Sequence, residues 1–197
     1  MEHTEDTDDR GDVSVLRSLL SEMDDTLEEE FERTGSLDSL NKQIELGKAV
    51  VALLPPGLPD RAKWLNNIGR ALGRRFDLTG SVIDLDEAIE LVGAALDSTE
   101  DSSARVAGMS NLASQLRRRF ERTGSMEDIN LAIQLAQTAV DNTSDGDPDR
   151  PGRVSNLGSW FAMRYDRTGS MDDLDQSISL VSTAIEATPQ DDHSRLG

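Results

Sequence analysis

The stretch Phe120-Glu121-Arg122-Thr123-Gly124-Ser125 decides the fold, because close copies of it occur four times in the 197-residue chain. The glycines of successive copies lie 45, 44 and 45 residues apart. Spacing as regular as this indicates a duplicated structural unit. The other three copies carry Thr-Gly-Ser at residues 34–36, 79–81 and 168–170.

The residues on both sides of each glycine have the pattern of amphipathic helices. Before Gly80, apolar residues recur at helical spacing as Leu65, Ile68, Leu72 and Phe76. Glycine adopts the left-handed conformation that ends many helices, and serine is a common N-cap of the next helix. Each copy therefore predicts two helices joined by a short turn. The sequences Ser125–Asp128 and Ser170–Asp173 further resemble capping boxes.

The prolines lie between the copies, where a helix has to stop. We therefore predict an all-α fold of four antiparallel helical hairpins in series. The predicted segments are a disordered acidic tail at 1–12, a repeat domain at 13–188 and a linker or further repeat at 189–197. The four repeats are expected at about 13–56, 60–100, 104–145 and 150–188.

The first copy differs from the others, as expected of a repeat at the end of a stack. Its first helix, expected at about Val13 to Glu32, is more acidic and less regular. It has Asp24 at the position of Gly69, Ala113 and Gly158, small residues expected where the two helices of a hairpin touch closely. At the other end, residues 192–195 parallel the sequence that precedes an earlier first helix, and so predict the lead-in to a further repeat.

Composition and charge disfavour several function classes. The formal net charge of -18 disfavours binding to nucleic acid and to anionic membrane surfaces. Only 4% of the residues are aromatic, which favours stacked helices over a strand-rich fold. The chain contains no cysteine, no secretory signal and no long apolar run, so we expect a cytoplasmic protein.

Catalytic and metal-binding patterns are missing from the sequence. The two histidines, His3 and His193, both fall in predicted tails without accompanying catalytic groups. No phosphate-binding loop, nucleophile elbow or zinc-binding helix motif occurs. The sequence therefore predicts a protein that is not an enzyme and has no cofactor or metal site.

The order of residues within the repeat resembles the tetratricopeptide repeat (TPR). Ile68-Gly69, Gly80, Ala88-Ile89 and Ala95 carry the resemblance. The period exceeds the usual 34 residues by about ten, as in kinesin-light-chain-like repeats. The strings Leu65–Gly69, Arg119–Ser125 and Met171–Asp175 are similar to repeats of fungal proteins that carry caspase-like CHAT domains. The resemblance implies a right-handed α-solenoid that acts as a scaffold for another protein.

The resemblance also implies a binding surface on the first helices, which line the concave side of such arrays. Asn67, Asn111 and Asn156 match an asparagine of kinesin-light-chain-like repeats and could hold the backbone of an extended peptide or a partner helix. Flanking side chains would select acidic groups or add polar contacts; these are Arg70, Arg74, Ser114 and Arg118. The partner is therefore expected to be a protein or peptide.

Several alternatives remain open from the sequence. The asparagines could instead satisfy groups between neighbouring hairpins. The recurring Arg75, Arg119 and Arg164 could be structural cations near helix ends rather than binding residues. The chain could also be a sensor or oligomerisation module of a larger fungal protein whose C-terminal effector is a CHAT or nucleotide-binding domain. Self-association through the C-terminal hairpin is a further possibility.

Overall fold

The computed structural model describes the backbone of residues 8–187 and the side chains of residues 15–187. All the regular structure in this range is helical, and the helices follow one another as four hairpins. The helices are α1 (Asp8–Thr34), α2 (Leu37–Leu53), α3 (Pro59–Thr79), α4 (Val82–Ser98), α5 (Ser102–Thr123), α6 (Met126–Asp141), α7 (Arg150–Thr168) and α8 (Met171–Ala187). The predicted all-α solenoid of four hairpins is confirmed.

The Thr-Gly-Ser turn joins the two helices of each hairpin through local hydrogen bonds. Thr123 Oγ1 donates to the Arg119 carbonyl at 2.7 Å and accepts from the Ser125 N–H at 3.2 Å. Gly124 is left-handed, with φ of 74°, and its N–H donates to the Phe120 carbonyl at 2.7 Å. The threonine and glycine contacts recur in all four copies. The motif is therefore a compact helix-turn-helix joint.

The predicted capping boxes form only in part. Ser125 Oγ accepts from the Asp128 N–H at 3.3 Å, as in a capping box. The return bond is different, because the Ser125 N–H is taken by Thr123 and the Asp128 carboxylate binds Arg119. The turn at Ser170 has the same arrangement. The threonine before the glycine thus replaces the acidic residue of a capping box.

Apolar side chains form core clusters that span neighbouring hairpins. Ile68 and Leu72 of α3 are buried together with Leu40 and Ile44 of α2. Between hairpins, Arg61, Arg105 and Arg150 donate to carbonyls at the end of the preceding second helix. Two first helices, α3 and α5, also contact each other directly. This side of the stack carries the candidate site.

The predicted start of the repeat domain needs a correction. Helix α1 begins at Asp8, so residues 8–12 are helical rather than part of a disordered tail. Once a helix has nucleated, each added residue gains a backbone hydrogen bond at low cost, which favours extension toward the N-terminus. Residues 1–7 and 188–197, including both histidines, lie outside the described residues. No helix within residues 8–187 is long and apolar enough to cross a membrane.

Candidate peptide-binding groove

Two cavities follow one another along the first helices. The first, of about 410 Å³, lies between α3 and α5, and the second, of about 270 Å³, lies between α5 and α7. We refer to the two together as the inner groove. Six of the seven predicted binding residues line it, namely Asn67, Arg70 and Asn111 in the first cavity and Ser114, Arg118 and Asn156 in the second. Arg74 lines neither cavity.

The predicted binding residues of α3 already pair with acidic side chains of α1. Asn67 Nδ2 donates to Asp24 Oδ2 at 2.7 Å. Arg70 pairs with Glu28 at 2.6 Å, and Arg74 also contacts Glu28, at 3.1 Å. In this repeat the asparagine therefore joins neighbouring hairpins, which is the alternative that the sequence left open.

The asparagines of the next two repeats are placed differently. Asn111 is half-buried and Asn156 is exposed, and both line the inner groove. Within residues 15–187 neither side-chain amide makes a hydrogen bond. Each amide can both donate and accept a hydrogen bond. These two side chains can therefore bind an incoming backbone without giving up an existing contact.

The lining of the groove has more basic than acidic side chains, although Asp149 also lines the first cavity. Arg118 makes hydrogen bonds from Nε and Nη2 to Asp77, at 3.0 Å each, and Ser114 donates to the Ser110 carbonyl at 2.9 Å. Lys63 and Arg153 also line the first cavity and were not identified from the sequence. Lys63 precedes Asn67 by four residues, a spacing that puts both on one helix face and could have indicated it.

Asp24 is a buried carboxyl group, with 3% of the residue exposed. Burial raises its pKa above the ordinary value of 3.8. The hydrogen bond from Asn67, the nearby Gln43 side chain and the charge of Arg70 oppose this effect without cancelling it. The ionised carboxylate is therefore less favourable in the folded chain than in the unfolded chain.

Asp24→Asn is expected to raise the melting temperature at neutral pH. Because the folded pKa is raised, the ionised carboxylate costs stability above that pKa, and the cost vanishes below the unfolded value near 3.8. The advantage of the variant should thus be largest at neutral pH and disappear at about pH 4 and below. Thermal unfolding followed by circular dichroism over this range measures the difference.

Asp25→Asn is the matched control, since Asp25 is the exposed neighbour on the same helix. It should change the melting temperature little at any pH. An equal effect of the two substitutions would show that the gain comes from lower net charge rather than from relief of burial.

The recurring arginines before the aromatic residue are structural. Arg75 Nε and Nη2 donate to Asp84 at 2.9 and 2.8 Å, and Nη1 donates to Asn41 of the preceding hairpin at 2.9 Å. The hydrogen bonds to Asp84 raise the pKa of Arg75, so the guanidinium stays charged. Equivalent contacts join Arg119 to Asp128 and Asp86, and Arg164 to Asp173 and Asn130.

We refer to each pair of an arginine and a buried aspartate as an arginine clamp. The aspartates Asp84, Asp128 and Asp173 are each 5% exposed. They were not singled out as arginine partners, although an acid follows the glycine by four residues in three of the four copies. The clamps tie the two helices of a hairpin together and reach the hairpin before it.

These features define the class of the protein as an α-helical repeat solenoid with a polar groove along its first helices. Residues 61–99 match the family model of the tetratricopeptide repeat, which confirms the resemblance predicted from the repeat. Repeats of this kind generally mediate protein–protein interactions. No curated protein sequence matches the chain.

Solved structures agree with the fold. The nearly identical TPR-like repeats of a kinesin light chain from Podosopora anserina superpose with a TM-score of 0.64 at 18% identity, over 89% of this chain and 79% of that one. A point variant of those repeats gives a TM-score of 0.63 at 18% identity, over 86% and 74% of the two chains. At such low identity the likeness bears on the fold alone.

Proposed function

We propose that the chain is a non-catalytic cytoplasmic adaptor that holds an extended segment of a partner protein in the inner groove. One observation carries the proposal. The amides of Asn111 and Asn156 recur one repeat apart, line consecutive cavities and make no hydrogen bond within the described chain. Their position favours contact with a ligand over a structural role.

The geometry suits a peptide backbone that crosses the first helices. Helices α3 and α5 are in contact, and helices in contact lie about 8–10 Å apart, a distance that an extended chain covers in about three residues. An extended peptide that crosses the first helices would pass from the cavity of Asn111 to the cavity of Asn156 and would meet one amide in each. Hydrogen bonds of this kind hold a backbone regardless of its side chains.

Charge gives the groove its selectivity. Arg70 and Arg118 line it together with Lys63, whose side chain is exposed. Although Arg70 and Arg118 already pair with acids of the preceding first helix, a guanidinium has five donors and can contact a second carboxylate. The groove should therefore prefer peptides that carry Asp or Glu.

Replacing Asn111 and Asn156 together by alanine is expected to weaken peptide binding roughly 5- to 150-fold, because each of the two lost hydrogen bonds contributes about 0.5–1.5 kcal/mol. Peptides selected on the unmodified chain from a random-sequence display library provide the probe. Their dissociation constants for the variant are then measured by fluorescence anisotropy. The selected peptides should also be enriched in acidic residues.

The matched control is Gln134→Ala with Gln176→Ala, which removes two exposed amides from the second helices. It should leave the dissociation constants unchanged. Equal affinities for both double variants would contradict the proposal. Asn67 is kept out of the test because its removal would leave the buried Asp24 without its partner and would lower stability.

A further inference from the structure

Helix α8 exposes apolar side chains at repeat positions that are buried in the preceding hairpin. Ile178 and Ile185 are 58% and 63% exposed. Their counterparts one repeat earlier, Ile133 and Val140 of α6, are 6% and 5% exposed. The two pairs lie at identical distances from the glycines of their repeats. The outer face of α8 is therefore a copy of a surface that is normally covered.

In the preceding hairpin, a first helix covers the equivalent face of α6. Ile133 and Val140 share one hydrophobic cluster with Val154 and Leu157 of α7, the first helix of the next hairpin. Helices α6 and α7 pack directly against each other, as do α2 with α3 and α4 with α5. Continuity with these interfaces indicates that the α8 face fits an amphipathic helix.

An exposed aspartate of α8 indicates which charge a covering helix should carry opposite it. Arg119 of α5 crosses to Asp86 of α4 at a distance of 3.0 Å. Asp175 of α8 occupies the position of Asp86 and is exposed. A covering helix should therefore carry an arginine at the position that Arg119 has in α5.

The chain's own first helix does not meet this requirement. Helix α1 has exposed apolar residues at positions that pack inward in later repeats, among them Leu19 and Met23. It has Glu30, however, where the other first helices have their clamp arginine. Stacking two copies end to end would bring Glu30 against Asp175, and like charges at a stacking interface disfavour it.

We propose that the outer face of α8 binds an amphipathic partner helix of the α5 type, with an arginine opposite Asp175, and that Glu30 keeps α1 of a second copy away from this face. The surface lies on a different helix from the inner groove. The proposal therefore does not depend on peptide binding there.

The first test uses a labelled synthetic peptide of the α5 sequence, residues 102–123, and the full chain. Fluorescence anisotropy should show saturable binding that weakens at least about tenfold with Ile178→Asp in the chain or with Arg119→Glu in the peptide. Combining the Arg119→Glu peptide with an Asp175→Arg chain should restore binding. Absence of binding by the unmodified peptide, or binding that ignores Ile178 and Asp175, would overturn the proposal.

The second test measures self-association by sedimentation velocity. The unmodified chain should sediment independently of concentration, whereas Glu30→Arg should associate in a concentration-dependent manner. Adding Asp175→Arg to that variant should return it to the monomer. An unmodified chain that associates through Ile178, or a folded Glu30→Arg variant that stays monomeric, would count against the assigned role of Glu30.

Discussion

Arg75→Ala is expected to lower the free energy of unfolding by about 3 kcal/mol. The Asp84 side chain is 8% exposed and receives two hydrogen bonds from Arg75. Without the guanidinium, a buried carboxylate loses its counter-charge and two donors, and removal of one member of such a pair is costly. The bond from Arg75 to Asn41 is lost as well. Urea unfolding followed by circular dichroism measures the change.

The first hairpin lacks both members of the arginine clamp and so leaves no unpaired buried charge at this position. It has Glu30 and Ser39 at the positions of Arg75 and Asp84, and Ser39 is 1% exposed. Adding Asp84→Ser to Arg75→Ala should therefore recover much of the lost stability, because no unpaired charge remains buried. Arg122→Ala, at an exposed arginine, is the control and should cost no more than about 0.5 kcal/mol. A similar cost for Arg75→Ala would disprove the clamp.

The fold could be predicted from the sequence because the evidence for it is local and repeated. Each hairpin is indicated by a left-handed glycine, such as Gly124, and by an amphipathic helix on either side of it. All of these features lie within one repeat. The close approach of the hairpin helices at Gly69 and Gly158 was predicted for the same reason and is confirmed. Agreement among four copies makes a chance pattern implausible.

The contacts between repeats were harder to predict. The same asparagine binds Asp24 in one repeat and lines an open cavity in the next two, because the neighbouring helix differs. Among residues 15–187, only the first repeat places a buried acid beside its neighbour's asparagine, because later repeats have Gly69 and Ala113 at the position of Asp24. A pattern within one repeat does not contain this information, since the contact joins residues 43 positions apart.

The arginine clamps illustrate an intermediate case. Arg119 and Asp128 are nine positions apart, and both recur, so their pairing could have been inferred from the repeat. The sequence interpretation instead assigned Asp128 to a capping box, because that motif explains an acid at the same position. Local propensity and a tertiary ion pair compete for this carboxylate, and the bidentate contact with the guanidinium prevails.

Gly69→Ala is expected to lower the free energy of unfolding by about 2 kcal/mol. A Cβ atom at residue 69 would lie 2.3 Å from Val92 Cγ2, closer than such atoms can approach. Val92 is fully buried and β-branched, so its side chain has little freedom to turn away. Crowding should therefore exceed the gain of about 1 kcal/mol that alanine usually gives over glycine inside a helix.

The other hairpins supply the compensating change. The third hairpin has Ala113 and Ala136 at the positions of Gly69 and Val92, while the fourth has glycine and valine again. Val92→Ala should therefore rescue Gly69→Ala, making the double variant more stable than either single variant, with a coupling of about 3 kcal/mol. Gly93→Ala is the control, because a Cβ atom there meets nothing within 4 Å. It should stabilise the chain slightly, and strictly additive costs of the two substitutions would show that residues 69 and 92 do not share the space between α3 and α4.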